Sequence, residues 1–174
     1  MILMMIMIND PEKSCLSVAL SLLGRRKMAS YTLRKKLENK GYTPDEIQAA
    51  INRLLEWGYL DDRSFAVTLI RNKNTKQSKR KVFYDLIKAG IDKYLAQTLL
   101  EQYYPDELEI ENCLATATKL LASERGKVPK KAAKQAAETE ADIYQKIHAR
   151  LVLKGYSVNS VYTALEQVFE RENY

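Results

Sequence analysis

The apolar and polar positions of this chain follow one order three times, over residues 33–43, 82–92 and 147–157. Each copy has two apolar residues four positions apart, then a glycine four positions later, then an apolar residue and a helix-capping residue. A spacing of four places both apolar side chains on one face of a helix. The glycine suits a left-handed residue just past the helix end. Each copy therefore predicts the end of one helix and the beginning of the next.

Apolar stripes at helical spacing extend this repeat into three units of three helices each. The units span residues 9–60, 61–105 and 106–174, after an apolar extension over residues 1–8. The third unit contains a basic, alanine-rich insertion at about residues 126–140. Apart from the apolar extension, no segment alternates with the period of a strand. We therefore predict an all-α fold of tandem three-helix modules, similar to helix-turn-helix repeats, that stack into an elongated, curved molecule.

The composition fits a packed helical protein, and the charge is divided unevenly. The 174 residues are 46% hydrophobic and 29% charged, with only 6 glycines and 4 prolines, which favours helices. Within a net charge of +6, residues 1–90 carry 17 Lys and Arg against 9 Asp and Glu, whereas residues 91–174 carry 11 against 13. The basic half is consistent with binding to nucleic acid, with binding to an acidic protein surface, or with a solvated surface that binds nothing.

Cys15 and Cys113 form neither a disulfide framework nor a zinc pattern, so a reducing compartment is expected.

Catalytic chemistry has little support in the chain. The single histidine, His148, is interpreted as a surface residue of a predicted helix. There is no glycine-rich phosphate loop, dinucleotide fingerprint or nucleophile elbow, and Asp61 and Asp62 lack further oxygen ligands at loop spacing. The apolar extension is too short to span a membrane. We therefore expect no enzyme activity, no metal, no cofactor and no membrane partner.

Two groups of basic residues are candidates for binding a partner protein or DNA. Mobile cations suit contacts with phosphates or with an acidic groove. Tyr31 and Tyr84 are the only tyrosines placed beside these cations for base stacking, and packing is the better interpretation of the others, including Tyr59. The first group, in the second unit, comprises Arg71, Lys73, Lys76, Lys79, Arg80 and Lys81. The second group, in the first unit, comprises Arg25, Arg26, Lys27, Arg34, Lys35 and Lys36.

A five-residue motif joins the first unit to the second. It consists of Gly58, Tyr59, Leu60, Asp61 and Asp62, and Phe65 and Ala66 follow it. Its residue types predict mainly structural roles. The glycine ends a helix, the tyrosine contacts Leu54 across that ending, and the leucine packs on Phe65. The first aspartate caps the next helix and the second complements the dipole of that helix.

This motif and its surroundings resemble the RecX family of recombinase regulators. The resemblance also includes Gly41-Tyr42 upstream and Lys88-Ala89-Gly90-Ile91 downstream, and it covers residues 14–104 well and the third unit more loosely. It implies a bacterial cytoplasmic protein, expected to be monomeric and without enzyme activity. Such a protein would bind along the RecA–DNA filament and inhibit its extension, ATPase, strand exchange and co-protease activity. The alternatives are a general DNA-binding helical protein and a helical adaptor for another protein.

Overall fold

The computed structural model describes residues 14–126 and 136–170, and it confirms the all-α fold. These residues form nine helices and no strand. The predicted apolar extension lies outside the described residues, as does most of the predicted insertion. One helix begins at Ala136, inside the range predicted for the insertion. The helices are α1 (Cys15–Arg25), α2 (Ser30–Glu38), α3 (Pro44–Glu56), α4 (Asp62–Lys73), α5 (Lys79–Lys88), α6 (Lys93–Tyr103), α7 (Asp106–Arg125), α8 (Ala136–Leu153) and α9 (Val158–Glu170).

The repeated glycines end their helices in the predicted conformation. At the end of α2, Gly41 has φ +87°. The N–H of Tyr42 donates to the carbonyl of Leu37 at 3.3 Å, and the N–H of Gly41 donates to that of Glu38 at 2.9 Å. This pair of bonds closes the last turn of the helix and requires a residue with positive φ. The same pattern of bonds ends α3, α5 and α8, at Gly58, Gly90 and Gly155.

The capping residues that follow three of these glycines begin the next helices, as predicted. Thr43 and Glu46 form a reciprocal capping box at the start of α3, with Pro44 in its first turn. Asp92 accepts a hydrogen bond from the N–H of Leu95 at 3.1 Å, and Ser157 accepts one from the N–H of Ser160 at 3.1 Å. Each cap satisfies an amide that has no partner inside its own helix.

Contacts within the chain define two compact units. Among the described residues, unit 1 comprises 14–68 and 85–96, and unit 2 comprises 69–84, 97–126 and 136–170. The division therefore falls inside α4, α5 and α6. In unit 1, α1, α2 and α3 pack around a core that includes Leu33, Leu37, Ile47 and Leu54. In unit 2, α7, α8 and α9 pack around a core that includes Leu121, Ile147, Leu151 and Leu165. The predicted division into three modules stays a prediction.

Candidate binding surfaces

The motif at residues 58–62 has the local structure that its residue types predict, with one addition. Gly58 ends α3 with φ +72°, and Leu60 is buried in the core of unit 1. Asp61 caps α4, because its carboxylate accepts a hydrogen bond from the N–H of Ser64 at 2.9 Å. Ala66 is fully buried and Phe65 half-buried on the same helix. These residues serve the turn between α3 and α4.

The additional feature is the side chain of Asp62, which caps α2 although Asp62 itself lies in α4. Its Oδ1 accepts a hydrogen bond from the N–H of Ser30 at 2.7 Å. Ser30 is the first residue of α2, and Ala29 before it provides no side-chain cap. The carboxylate therefore satisfies an amide at the positive end of α2 while it lies in the first turn of α4. The prediction for Asp62 considered only the dipole of its own helix.

The packing interpretation of Tyr59 is wrong. Its N–H donates to the carbonyl of Leu54 at 2.9 Å, but its side chain is 63% exposed. The ring instead lies edge-on to Trp57, with centroids 6.4 Å apart. Tyr156, which also directly follows a helix-ending glycine, is buried as expected. Nothing in the spacing distinguishes the two, because the direction of each ring depends on which helix lies above the turn.

The first basic group divides into engaged and exposed side chains. The Nζ of Lys79 forms an ion pair with Asp106, and its backbone N–H donates to Glu109 at 2.8 Å. Lys73 is half-buried and has an internal partner. Within the described residues, the other four cations form no ion pair and are exposed. They are Arg71, Lys76, Arg80 and Lys81.

Two of these exposed cations lie over tyrosine rings of unit 2. Arg71 lies 5.1 Å from the centroid of the Tyr103 ring, and Arg80 lies 5.9 Å from that of Tyr84. Tyr84 is 57% exposed, which agrees with its prediction as an accessible ring. These contacts orient the guanidinium groups while their charge stays in solvent.

The second basic group is also mixed. Arg25, Arg26 and Lys27 are exposed at the end of α1 and in the loop that follows it. Arg34 donates to Gln48 at 2.5 Å, and Lys36 is half-buried. Lys35 forms an ion pair with Glu38 at 3.1 Å, and this hydrogen bond raises the pKa of Lys35 above its ordinary value. Its Nζ lies 5.9 Å from the ring centroid of Tyr31.

A buried polar network in unit 2 was missed by sequence reasoning. Glu109 is 3% exposed, and its two oxygens accept from the N–H of Lys79 at 2.8 Å and from the hydroxyl of Ser160 at 3.1 Å. Ser78 donates to the carbonyl of Lys154 at 2.7 Å. The network ties the start of α5 to α7, to α9 and to the α8–α9 turn. The one sequence feature that could have indicated this network is an acid in the first turn of α7. Glu107 is also an acid in that turn but is exposed, so this feature alone does not identify Glu109.

A groove of about 430 Å³ opens beside this network in unit 2. It has the size of a ligand pocket, with cations and carboxylates around apolar side chains. The residues that line it include Lys79, Arg80, Phe83, Leu100, Glu101, Asp106 and Gly155. Arg80 is thus both an exposed cation and part of the lining of the groove.

None of the helices in the described part of the chain has the length and apolar character needed to span a membrane.

The fold and these surfaces define an all-α protein with glycine-terminated, capped helices and two basic groups that are each partly exposed. Residues 15–54 match the family model for the first three-helix domain of RecX. A regulatory protein RecX of Vibrio vulnificus is 33% identical over 130 residues, which cover 73% of this chain and 82% of the relative. The chain belongs to the RecX family of regulatory proteins.

Other relatives and solved structures agree with this assignment. A regulatory protein RecX of Caldanaerobacter subterraneus is 32% identical over 94 residues, so the match covers 53% of this chain and 48% of that relative. The crystal structure of RecX from Lactobacillus salivarius matches with a TM-score of 0.69 at 24% identity, covering 88% of this chain and 94% of the other. This structural likeness shows that the two chains share a fold.

Proposed function

We propose that this protein is a negative regulator of the RecA recombinase. It binds along the RecA–DNA filament and inhibits extension, ATPase, strand exchange and co-protease activity. Membership of the RecX family is the observation that carries the proposal, because the family is understood to act on this filament. The protein acts as a monomer in the bacterial cytoplasm, and it performs no chemistry of its own.

The exposed cations of unit 2 support a location for part of the contact. Arg80 and Lys81 lie in the first turn of α5, and Arg71 and Lys76 lie before it. Such a group can meet phosphates or an acidic groove on the filament without breaking internal ion pairs. Lys79 is a poorer candidate, because its charge is already paired with Asp106. A protein bound across several recombinase subunits would oppose the subunit rearrangements that filament growth needs. Several weak contacts on one chain would together give a higher overall affinity through avidity.

The test is the ATPase activity of RecA on single-stranded DNA, with this protein added in substoichiometric amounts. We expect inhibition by the native protein. The double variant Arg80→Glu, Lys81→Glu should need about tenfold more protein for the same inhibition, which corresponds to ~1.4 kcal/mol of binding. The matched control is Lys119→Glu, Lys146→Glu, which reverses two exposed charges elsewhere in unit 2. Equal inhibition by both double variants would refute the location, and no inhibition by the native protein would refute the function.

General DNA binding is the second candidate function, favoured by the cation–tyrosine pairs of Arg71 and Arg80. It predicts tight binding to naked DNA that weakens steeply with salt, with no effect on RecA when DNA is in excess. Measuring DNA affinity at two salt concentrations beside the ATPase assay separates the two functions.

A further inference from the structure

Two aromatic rings on the turn after α3 are exposed and have no role in the core. Trp57 is 53% exposed and Tyr59 is 63% exposed. Their rings meet edge to face, with an angle of 81° between their planes. The turn that carries them is closed by hydrogen bonds from the N–H groups of Gly58 and Tyr59 to the carbonyls of Leu55 and Leu54, at 3.0 and 2.9 Å. The two rings therefore stand on a backbone that is already ordered, so a ligand would not have to order it.

Three exposed cations belong to the segments next to this aromatic turn. The bond from Ser30 to Asp62 brings the first turn of α4 beside the loop that contains Arg26 and Lys27. Arg63 directly follows Asp62 and is exposed. Among the described residues, none of these three cations forms an ion pair. Asp62 is occupied by Ser30 and Asp61 caps α4.

The rest of this surface is polar. Arg53 and Glu56 are exposed on the last turns of α3, and Leu55 is the neighbouring exposed apolar residue, at 46%. Leu55, Trp57 and Tyr59 are thus the exposed apolar side chains of this segment, and charged side chains lie between and beside them in the sequence. Exposed rings near exposed cations match the chemistry of single-stranded nucleic acid, where bases stack on aromatic faces and phosphates contact Lys and Arg.

We propose that Trp57 and Tyr59 form a stacking site for the bases of single-stranded DNA, with Arg26, Lys27 and Arg63 as its phosphate contacts. This aromatic site lies in unit 1 and does not involve the cations of unit 2 assigned above to the filament. It goes beyond the proposed regulation of RecA, since it can bind DNA whether or not the recombinase is the partner. Its test contains no recombinase, so its failure and the failure of the proposed function are distinguishable.

The first test uses the single tryptophan of the chain as its own probe. The protein is titrated at low salt with oligodeoxythymidylate of about 20 nucleotides, longer than the ~4–16 nucleotides of one typical site. Stacking on Trp57 should quench its fluorescence, and the quenching should saturate together with binding measured by anisotropy of a labelled oligonucleotide. A duplex of equal length should quench weakly, because its bases are already stacked. Binding without quenching, or no binding, would overturn the proposal.

The second test compares variants by anisotropy alone. Tyr59→Ala should weaken binding of the oligonucleotide about tenfold, within the range for loss of one stacked base, whereas Tyr59→Phe should keep nearly native affinity. The matched control is Tyr162→Ala, which removes an equally exposed ring (63%) from unit 2. Arg63→Gln should lower the dependence of log affinity on log salt by about one phosphate contact. Equal affinity of Tyr59→Ala and Tyr162→Ala, with both folded by circular dichroism, would contradict the stacking site.

Discussion

Removing the carboxylate of Glu109 tests whether the polar network of unit 2 stabilises the fold. Glu109→Ala deletes both oxygens of a side chain that is 3% exposed. One oxygen accepts from the N–H of Lys79, the first residue of α5, and the other accepts from the hydroxyl of Ser160 in α9. The substitution therefore leaves α5 without this cap and leaves a buried hydroxyl without its acceptor.

The two lost bonds set the size of the effect. A buried donor left without an acceptor costs roughly 1–3 kcal/mol. Ser160 keeps an alternative, because its hydroxyl also lies 2.7 Å from that of Ser157. The amide of Lys79 has no such alternative among the described side chains, but Lys79 is only half-buried and water can reach part of it. We therefore expect Glu109→Ala to lower the free energy of unfolding by about 2 kcal/mol, and Glu109→Gln, which keeps one acceptor, by about 1 kcal/mol.

Urea unfolding followed by circular dichroism measures the loss, and amide hydrogen exchange at Lys79 locates it. The control is Glu107→Ala, which removes an exposed acid from the same first turn of α7. Glu107→Ala changes the helix propensity and the interaction with the helix dipole as Glu109→Ala does, but it removes none of the hydrogen bonds to Lys79 and Ser160. If Glu109→Ala and Glu107→Ala lose equal stability, and exchange at Lys79 is unchanged, the reasoning about this network is refuted.

Three further predictions concern the glycine endings, the cap on α2 and a buried thiol. Gly90→Ala should destabilise the protein more than Gly41→Ala in urea unfolding. Both substitutions place alanine at a positive φ, which costs roughly 1–2 kcal/mol, but only at Gly90 would the new methyl group also overlap the side chain of Tyr31. Asp62→Ala should cost about 1 kcal/mol, and Asp62→Asn, which keeps the acceptor, should cost clearly less; equal losses would contradict the cap. Burial raises the pKa of Cys113 from 9.0 to about 12, so the native state holds this proton after the unfolded chain has released it. This thiol alone should consequently lower stability between pH 9 and 12 by up to ~1.4 kcal/mol per pH unit. Cys113→Ala should remove that part of the decline in unfolding measurements at several pH values.

The helix endings were predictable because their causes are local. The bonds that close the turn at Gly41 join residues at most five positions apart, and the cap at Thr43 reaches only to Glu46. Hydrophobic spacing, the glycine and the cap therefore lie within one short window of sequence. The same window identified Leu33 and Leu37 as inward-facing, and both are fully buried.

Contacts between distant segments were not predictable in the same way. Asp62 and Ser30 are 32 residues apart, so no periodicity links them, and many other acids could have satisfied that amide. Lys79 belonged to a run of cations that looked uniformly available, but Asp106 pairs with its ammonium group from a helix 27 residues away. Charge along a sequence shows which side chains are cationic, whereas their availability depends on neighbours that only the fold supplies.

The two long-range caps occupy equivalent places in the repeat. Ser30 and Lys79 each stand eleven residues before their glycine, Gly41 or Gly90, and each N–H donates to an acid in the first turn of a helix beyond that repeat. In the third copy the same position is Tyr144, which lies inside α8 because that helix begins eight residues earlier, at Ala136. An amide inside a helix already has a partner one turn back and needs no borrowed acceptor. In the first two copies, the amide at the start of the helix thus needs an acceptor from a later segment of the chain. In the last copy the helix is longer, so the amide at this position is bonded within the helix itself.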